Sequence, residues 1–157
     1  MIQYCLGFLF DIFDRDKVAL IRKNRPSWQA GLLNGIGGKL EEGETYRQAM
    51  VREFFEETGN VAARWNLFAE LFSGHSAING QPWKMGCFYG FGVTDLCESK
   101  TDEKIEIIQW PLIGKNKSLC VENTPWLLEM AISFRAGDIG APLLRVEYVS
   151  PNDILPI

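Results

Sequence analysis

The sequence predicts one layered domain of the α/β or α+β class, and three observations predict it. Apolar runs of strand length recur along the chain, two helix-like segments stand well apart among them, and no polar linker divides them. The chain has 157 residues, which fits one domain, and such a domain buries roughly 68–70% of its unfolded surface. With 46% hydrophobic and 23% charged residues, the composition excludes intrinsic disorder, collagen and a coiled coil. Residues 1–157 are therefore read as a single domain.

Residues 2–13 are dense in apolar and aromatic side chains and read as a buried strand. Asp14-Arg15-Asp16-Lys17 is a polar turn and 18–21 a second strand, so the two are expected to form a hairpin. Residues 23–34 read as a loop ending in Asn34-Gly35-Ile36-Gly37-Gly38. The spacing predicts a helix over 45–58. Thr45 is its N-cap candidate, Gln48 completes a capping box, and Gly59 stands where a C-cap glycine belongs. Ala49, Val51, Phe54 and Phe55 are expected to supply its apolar surface. Strand-like runs follow near 67–73, 85–94 and 104–110. Residues 125–135 open with Pro125 at an N1 position and precede Gly137, which predicts a second helix. Leu143 to Val149 alternates as a last strand would.

A formal net charge of −4 argues against binding nucleic acid through bulk electrostatics. A small anionic ligand needs only local cations or a metal. Cys5, Cys87, Cys97 and Cys120 are widely spaced, with no CxxC pair and one His in the chain, which disfavours a zinc cage. They read as reduced thiols, mostly buried. The apolar run from Cys5 to Phe10 is too short to span a bilayer and follows no basic region. The expectation is a cytoplasmic protein with no membrane contact.

The chemistry is concentrated between Gly38 and Asn60. On a helix over 45–58, Glu53, Glu56 and Glu57 share one side, because residues three and four apart are neighbours. Clustered carboxylates repel, and a hard divalent cation relieves that repulsion. Mg²⁺ takes oxygen ligands, keeps several waters and bridges carboxylates to substrate phosphates. From the helix alone a solvated acidic face is the favoured reading. The preceding glycines shift the balance, since their backbone can approach a ligand closely. The loop is not a Walker A motif, because Leu40 follows Lys39 and Leu33 stands where the first glycine would be.

Gly38, Glu44, Arg52-Glu53-Phe54, Glu56-Glu57 and Gly59 resemble the signature of the Nudix hydrolase family. All seven fixed identities fall at the right spacing. At residue frequencies of about 6%, a chance match at one position is on the order of 10⁻⁹. One departure is Asn60, where the family has an aliphatic residue; it concerns packing at the helix exit. The box covers 38–60.

The resemblance implies an α/β/α sandwich with a mixed, mostly antiparallel sheet. It also implies hydrolysis of a nucleoside diphosphate linked to another moiety, with Mg²⁺ or Mn²⁺. Carried over by position, Glu56 and Glu57 become metal ligands and Glu53 a further ligand or the general base. Arg52 would orient a carboxylate, the Gly37 carbonyl would coordinate metal, and Glu44 would hold the loop against the helix. One more acidic ligand is expected from a later loop; Glu103 is the choice, with Asp102, Glu106 and Glu98 as rivals. Lys39 would offset phosphate charge or stand as a solvated loop lysine.

Substrate choice lies outside the box. Asn34, before Gly35-Ile36-Gly37-Gly38, resembles an arrangement in animal oxidised-purine nucleoside triphosphatases, and Asn123 resembles the late base-reading asparagine of MutT-type enzymes. An amide donates and accepts at once, which suits a base edge. A turn asparagine and an N-cap asparagine are the competing readings. Trp28, Phe72, Trp83, Trp110 and Trp126 offer stacking faces, though most should be core. Gln81-Pro82-Trp83 resembles part of a motif in NADH pyrophosphatases, but its continuation is missing. His75 reads as a surface residue.

The expected activity is a nucleoside triphosphate pyrophosphohydrolase releasing monophosphate and pyrophosphate, with 8-oxo-dGTP as a candidate substrate. ADP-ribose, a nucleotide sugar or a dinucleoside polyphosphate is the alternative, and a silent nucleotide-binding regulator is another. The partners expected are a small nucleotide and no nucleic acid, in a monomer or homodimer.

Overall fold

A strand covered on both faces reads as one continuous apolar run, and the first strand is such a strand. In the computed structural model, which describes residues 1–74, 81–136 and 143–148, β1 (Ile2–Asp11) is buried without a break from Cys5 to Asp11. Its side chains alternate between two cores. Cys5 and Leu9 join Ile36, Met50 and Phe54 on one side, while Leu6, Phe8 and Phe10 join Phe68, Leu127 and Leu128 on the other. The result is a three-layer α/β/α sandwich around a mixed sheet.

The other elements are β2 (Lys17–Arg22), β3 (Leu33–Asn34), β4 (Ile36–Lys39), α1 (Tyr46–Thr58), β5 (Trp65–Ser73), β6 (Trp83–Gly92), β7 (Lys104–Gln109), α2 (Trp110–Lys115), α3 (Thr124–Ala136) and β8 (Leu144–Tyr148). The sheet runs β3-β2-β1-β6-β5-β8, with β4 paired to β1 and β7 to β2. Among the strand pairs of the described residues, β1–β6 and β5–β8 are the parallel ones. The expected hairpin of β1 and β2 is present, with Leu9 opposite Ala19 and Phe10 opposite Val18. The first half of β1 instead pairs with β4, Cys5 opposite Gly38 and Leu6 opposite Gly37. Two strands thus share one edge of β1, and the second of them, β4, carries Gly37 and Gly38.

Four details differ from the sequence expectation. The stretch read as a glycine loop is strand β4, which alternation cannot reveal when Gly37 and Gly38 bring no side chains. A Cβ on Gly37 would lie 2.0 Å from the Cys5 carbonyl oxygen, so the close approach of β1 and β4 requires glycine there. On α1, Val51 and Phe55 are 50% and 56% exposed rather than packed. Ala49 and Phe54 are buried as expected, and Met50 and Thr58 complete the buried face in place of Val51 and Phe55. The strand expected to reach 110 ends at Gln109, and α2 begins there with Pro111 in its first turn. The second helix starts at Thr124, whose neighbour Asn123 accepts the Leu127 N–H at 3.1 Å, so Pro125 sits one residue further in than expected.

The capping of α1 is as its sequence indicates. Gln48 donates its backbone N–H to Thr45 Oγ1, and the Gln48 side-chain oxygen accepts the Thr45 N–H at 2.9 Å. Gly59, at φ 65°, donates to the Phe55 carbonyl at 2.8 Å. Of the aromatic residues raised as stacking faces, Trp83, Trp110 and Trp126 pack partly buried against the core, whereas Trp28 is exposed. Cys5, Cys87 and Cys120 are buried free thiols, and Cys97 is half-buried. Among the described residues, no helix is long and apolar enough to cross a membrane. His75, Gly137 and Val149 lie outside the described residues.

Candidate active site

The glycine strand and the acidic helix meet at one contact. A Cβ on Gly38 would stand 2.4 Å from Glu53 Cδ and 2.5 Å from both carboxylate oxygens. The bare Cα of β4 therefore leaves the seat in which the Glu53 carboxylate rests. The cap at Thr45 fixes where α1 begins, and eight residues later Glu53 faces the strand.

Arg52 organises the carboxylates around it. Its Nε and Nη2 donate to Glu44 Oε1 and Oε2 at 2.7 and 2.8 Å, a bidentate pair. Its Nη1 donates to Glu53 Oε1 at 2.8 Å and to Glu56 Oε2 at 3.2 Å, and its Nη2 also reaches the Lys39 carbonyl at 3.1 Å. Glu44, beside this guanidinium and accepting the Glu41 N–H, has its pKa held down at about 2. The Arg52 pKa rises through the same contacts, so it is cationic at any working pH. One cation thus ties the box loop to α1 and sets two of its carboxylates.

Glu57 is outside that network. Its Oε2 accepts the Thr101 hydroxyl at 2.8 Å. Burial raises its pKa; Thr101 and Lys23 oppose that rise, while the charges of Glu103 and Glu53 add to it. Glu103 is 4% exposed and accepts from Lys23 Nζ at 2.6 Å, Asn24 N at 2.9 Å and Arg25 N at 3.3 Å. Burial pushes its carboxyl up, but Lys23 and the Asn24 N–H outweigh this and lower it. The rivals are ion-paired as Glu103 is: Asp102 with Arg25, Glu106 with Arg22 and Glu98 with Lys100.

Among the described residues, no three acidic, histidine or cysteine side chains converge as a ready metal cage. The donors do fit a hard cation that keeps most of its waters. Glu53, Glu56 and Glu57 offer anionic oxygens on one side of α1, and among the described residues Glu57 accepts no hydrogen bond from a basic side chain, with Glu103 and Glu53 pressing on it and Lys23 opposing them.

The two asparagines come together at the far end of the same edge. Asn34 Oδ1 accepts from Gly35 N and from Thr124 Oγ1, both at 2.8 Å, which pins β3 to the start of α3. Asn123 is the residue before that threonine. Its main chain caps the helix, and its buried Oδ1 faces the buried Tyr148 hydroxyl, an interaction that opposes the rise burial gives the Tyr148 pKa. Beside them opens a cleft of about 480 Å³ lined by Trp28, Leu32, Cys120, Glu122, Pro125 and Trp126, among others. Val121 N donates to the Leu33 carbonyl at 2.9 Å, so the cleft and the glycines lie on one extended segment. From Leu33 to Gly37 is four residues, about 13 Å. The Lys39 side chain is exposed, and its carbonyl is the atom the site uses.

Sequence reasoning did not single out Lys23 or Thr101, and it raised Trp28 and Trp126 only as stacking faces. Lys23 and Thr101 act through partners 80 and 44 residues away, a separation that leaves no local pattern.

A family model described as NUDIX domain matches residues 7–111, more than half of the chain. The CTP pyrophosphohydrolase of Escherichia coli (strain K12) is 49% identical over 49 residues, 31% of this chain and 36% of that protein. The 8-oxo-dGTP diphosphatase of the same organism is 33% identical over 70 residues, 45% of this chain and 53% of that protein. The chain thus spans about half or less of the curated relatives it matches. The Nudix domain of Shewanella oneidensis NrtR, solved with ADP ribose, shares the fold at a TM-score of 0.70. Its identity is 16%, over 85% of this chain and 87% of that one.

Proposed function

The chain belongs to the Nudix hydrolase family, and from that premise we propose that it is a Mg²⁺-dependent nucleoside triphosphate pyrophosphohydrolase. It releases a monophosphate and pyrophosphate, with oxidised purine nucleotides such as 8-oxo-dGTP as the substrate class. The observation that carries the reading is the Arg52 cluster. One guanidinium holds Glu44, Glu53 and Glu56 against the glycine strand, with Glu57 alongside on the same helix.

In this reading Glu53, Glu56 and Glu57 hold the ion, joined by the Gly37 carbonyl. Glu103 would be the further ligand while keeping its ion pair with Lys23. A bound divalent ion supplies charge neutralisation at the phosphates and a more acidic water. The chain's own groups do the rest. Arg52 fixes the directions of Glu53 and Glu56 before substrate arrives, so no side-chain freedom is lost in the reaction. Glu53, resting on Gly38, is the candidate to take a proton from the attacking water. Lys39 offsets charge on the outer phosphates.

The base sits in the cleft beside Asn34 and Asn123. Trp28 and Trp126 offer aromatic faces there, Glu122 adds a carboxylate, and Asn123 is the next residue in the chain, its Oδ1 facing the Tyr148 hydroxyl. The names of both curated relatives point to triphosphate substrates, one pyrimidine and one oxidised purine, so the base is chosen on the cleft.

The test is product analysis with Mg²⁺ over 8-oxo-dGTP, the common (d)NTPs, ADP-ribose, NADH and nucleotide sugars. Pyrophosphate is expected in equal amount to monophosphate, fastest from 8-oxo-dGTP, and chelation should abolish it. Asn123→Ala is expected to raise KM for 8-oxo-dGTP about tenfold, the scale of losing one or two hydrogen bonds to a base. Turnover confined to ADP-ribose or sugars would discard the triphosphate reading and keep the metal site.

A further inference from the structure

Of the four signature glutamates, Glu44, Glu53 and Glu56 are held by Arg52, and Glu57 is held by a residue outside the box. Glu57 receives no hydrogen bond from Arg52; its Oε2 takes the Thr101 hydroxyl at 2.8 Å. That hydroxyl accepts the Glu103 N–H at 3.2 Å, which leaves its proton for Glu57. The turn carrying it is clamped from the other side. Glu103 accepts from Lys23 Nζ and from the N–H groups of Asn24 and Arg25. The Asp102 carbonyl accepts from Asn24 Nδ2 at 2.7 Å, and its carboxylate takes both arms of Arg25 at 3.0 and 2.7 Å. Behind it, Lys100 N donates to the Glu57 carbonyl at 3.1 Å. Thr101 is therefore fixed relative to both the exit of β2 and the last turn of α1.

We propose that Thr101 is a positioning residue for the metal-binding carboxylate Glu57, held in place by the buried Lys23–Glu103 ion pair. This rests on the reading of Glu57 as a ligand. A glutamate free to rotate loses side-chain entropy when it binds an ion, and a hydrogen bond that already aims it removes part of that loss. Partners of this kind around a metal ligand are worth about 10–100-fold in affinity. Thr101 is exposed, so its hydroxyl contributes little to the fold itself.

The experiment is a Mn²⁺ titration of the nucleotide-free protein, with free ion read from its paramagnetic resonance signal, alongside metal-free thermal melts. Thr101→Val keeps the shape and removes the hydroxyl; Thr101→Ser keeps the hydroxyl; Glu57→Gln is the control. Thr101→Val is expected to bind Mn²⁺ about tenfold more weakly with an unchanged melt, and Thr101→Ser to recover wild-type affinity. If Thr101→Val binds like the wild type while Glu57→Gln loses binding, the positioning role is wrong and the site reading stands. A serine variant as weak as the valine variant also overturns it. If Glu57→Gln binds as well as the wild type, the site reading fails and the inference falls with it.

Discussion

Glu53→Gln is expected to lower turnover by about 10²–10³-fold, the scale on which a single group that manages developing charge acts, with the fold intact. Glutamine has the same volume, so it still occupies the seat over Gly38, and its amide oxygen can still accept from Arg52 Nη1. What it lacks is the negative charge that holds a cation and the basicity to take a proton. Gly38→Ala is the complementary change: it keeps the charge and moves it. The new Cβ would stand 2.4 Å from Glu53 Cδ, and the side chain, not the backbone of β1, is what gives way. Both variants should therefore melt close to the wild type while losing kcat. Titrating each with Mg²⁺ separates them, because displacement is partly compensated by more metal and loss of basicity is not. Undiminished turnover of Glu53→Gln would remove Glu53 from the machinery.

How far this site could be read without coordinates depends on how local its determinants are. The capping box of Thr45 and Gln48 and the left-handed Gly59 lie within a turn of the helix they bound, so α1 was legible to within a residue. The contact of Gly38 with Glu53 is legible only as a family spacing, since no rule of helix or strand brings a glycine fifteen residues upstream against a carboxylate. Strand β4 was read as loop because its glycines show no alternation, although they are what lets it pair so closely with β1. The exposure of Val51 and Phe55 was missed because a helix with Arg52, Glu53, Glu56 and Glu57 on one side leaves too few apolar positions to define a unique stripe. Lys23, Glu103 and Thr101 were beyond reach as a unit: charged residues in two loops name no partner until the sheet places β2 beside β7.

Asp11→Ala is expected to destabilise the domain by about 3 kcal/mol, far from the proposed chemistry. Asp11 ends β1 and is 4% exposed. Its Oδ1 accepts from the N–H groups of Phe13 and Asp14 at 2.8 and 2.9 Å; its Oδ2 accepts from Thr94 N and Oγ1 at 2.9 and 2.7 Å. Thr94 is fully buried, so removing the carboxylate strands donors that water cannot reach, at about 1–3 kcal/mol each. For a domain of this size that is roughly 6–12 °C in Tm. The pH dependence carries the diagnosis. Burial pushes the Asp11 carboxyl up, but the Thr94 hydroxyl and the three N–H groups outweigh it and hold the pKa at about 2. The unfolded value is about 3.9, so the ionised form is favoured in the folded state by about 2.6 kcal/mol. Because the folded pKa is depressed, this stability is fully present above about pH 5 and drains away as pH falls toward 2. Urea unfolding of the wild type and Asp11→Asn should therefore differ by about 2.6 kcal/mol at pH 7, and the gap should narrow steadily below about pH 5. A gap that stays constant down to pH 3 would mean that shape, and not the charge accepting four hydrogen bonds, is what Asp11 contributes.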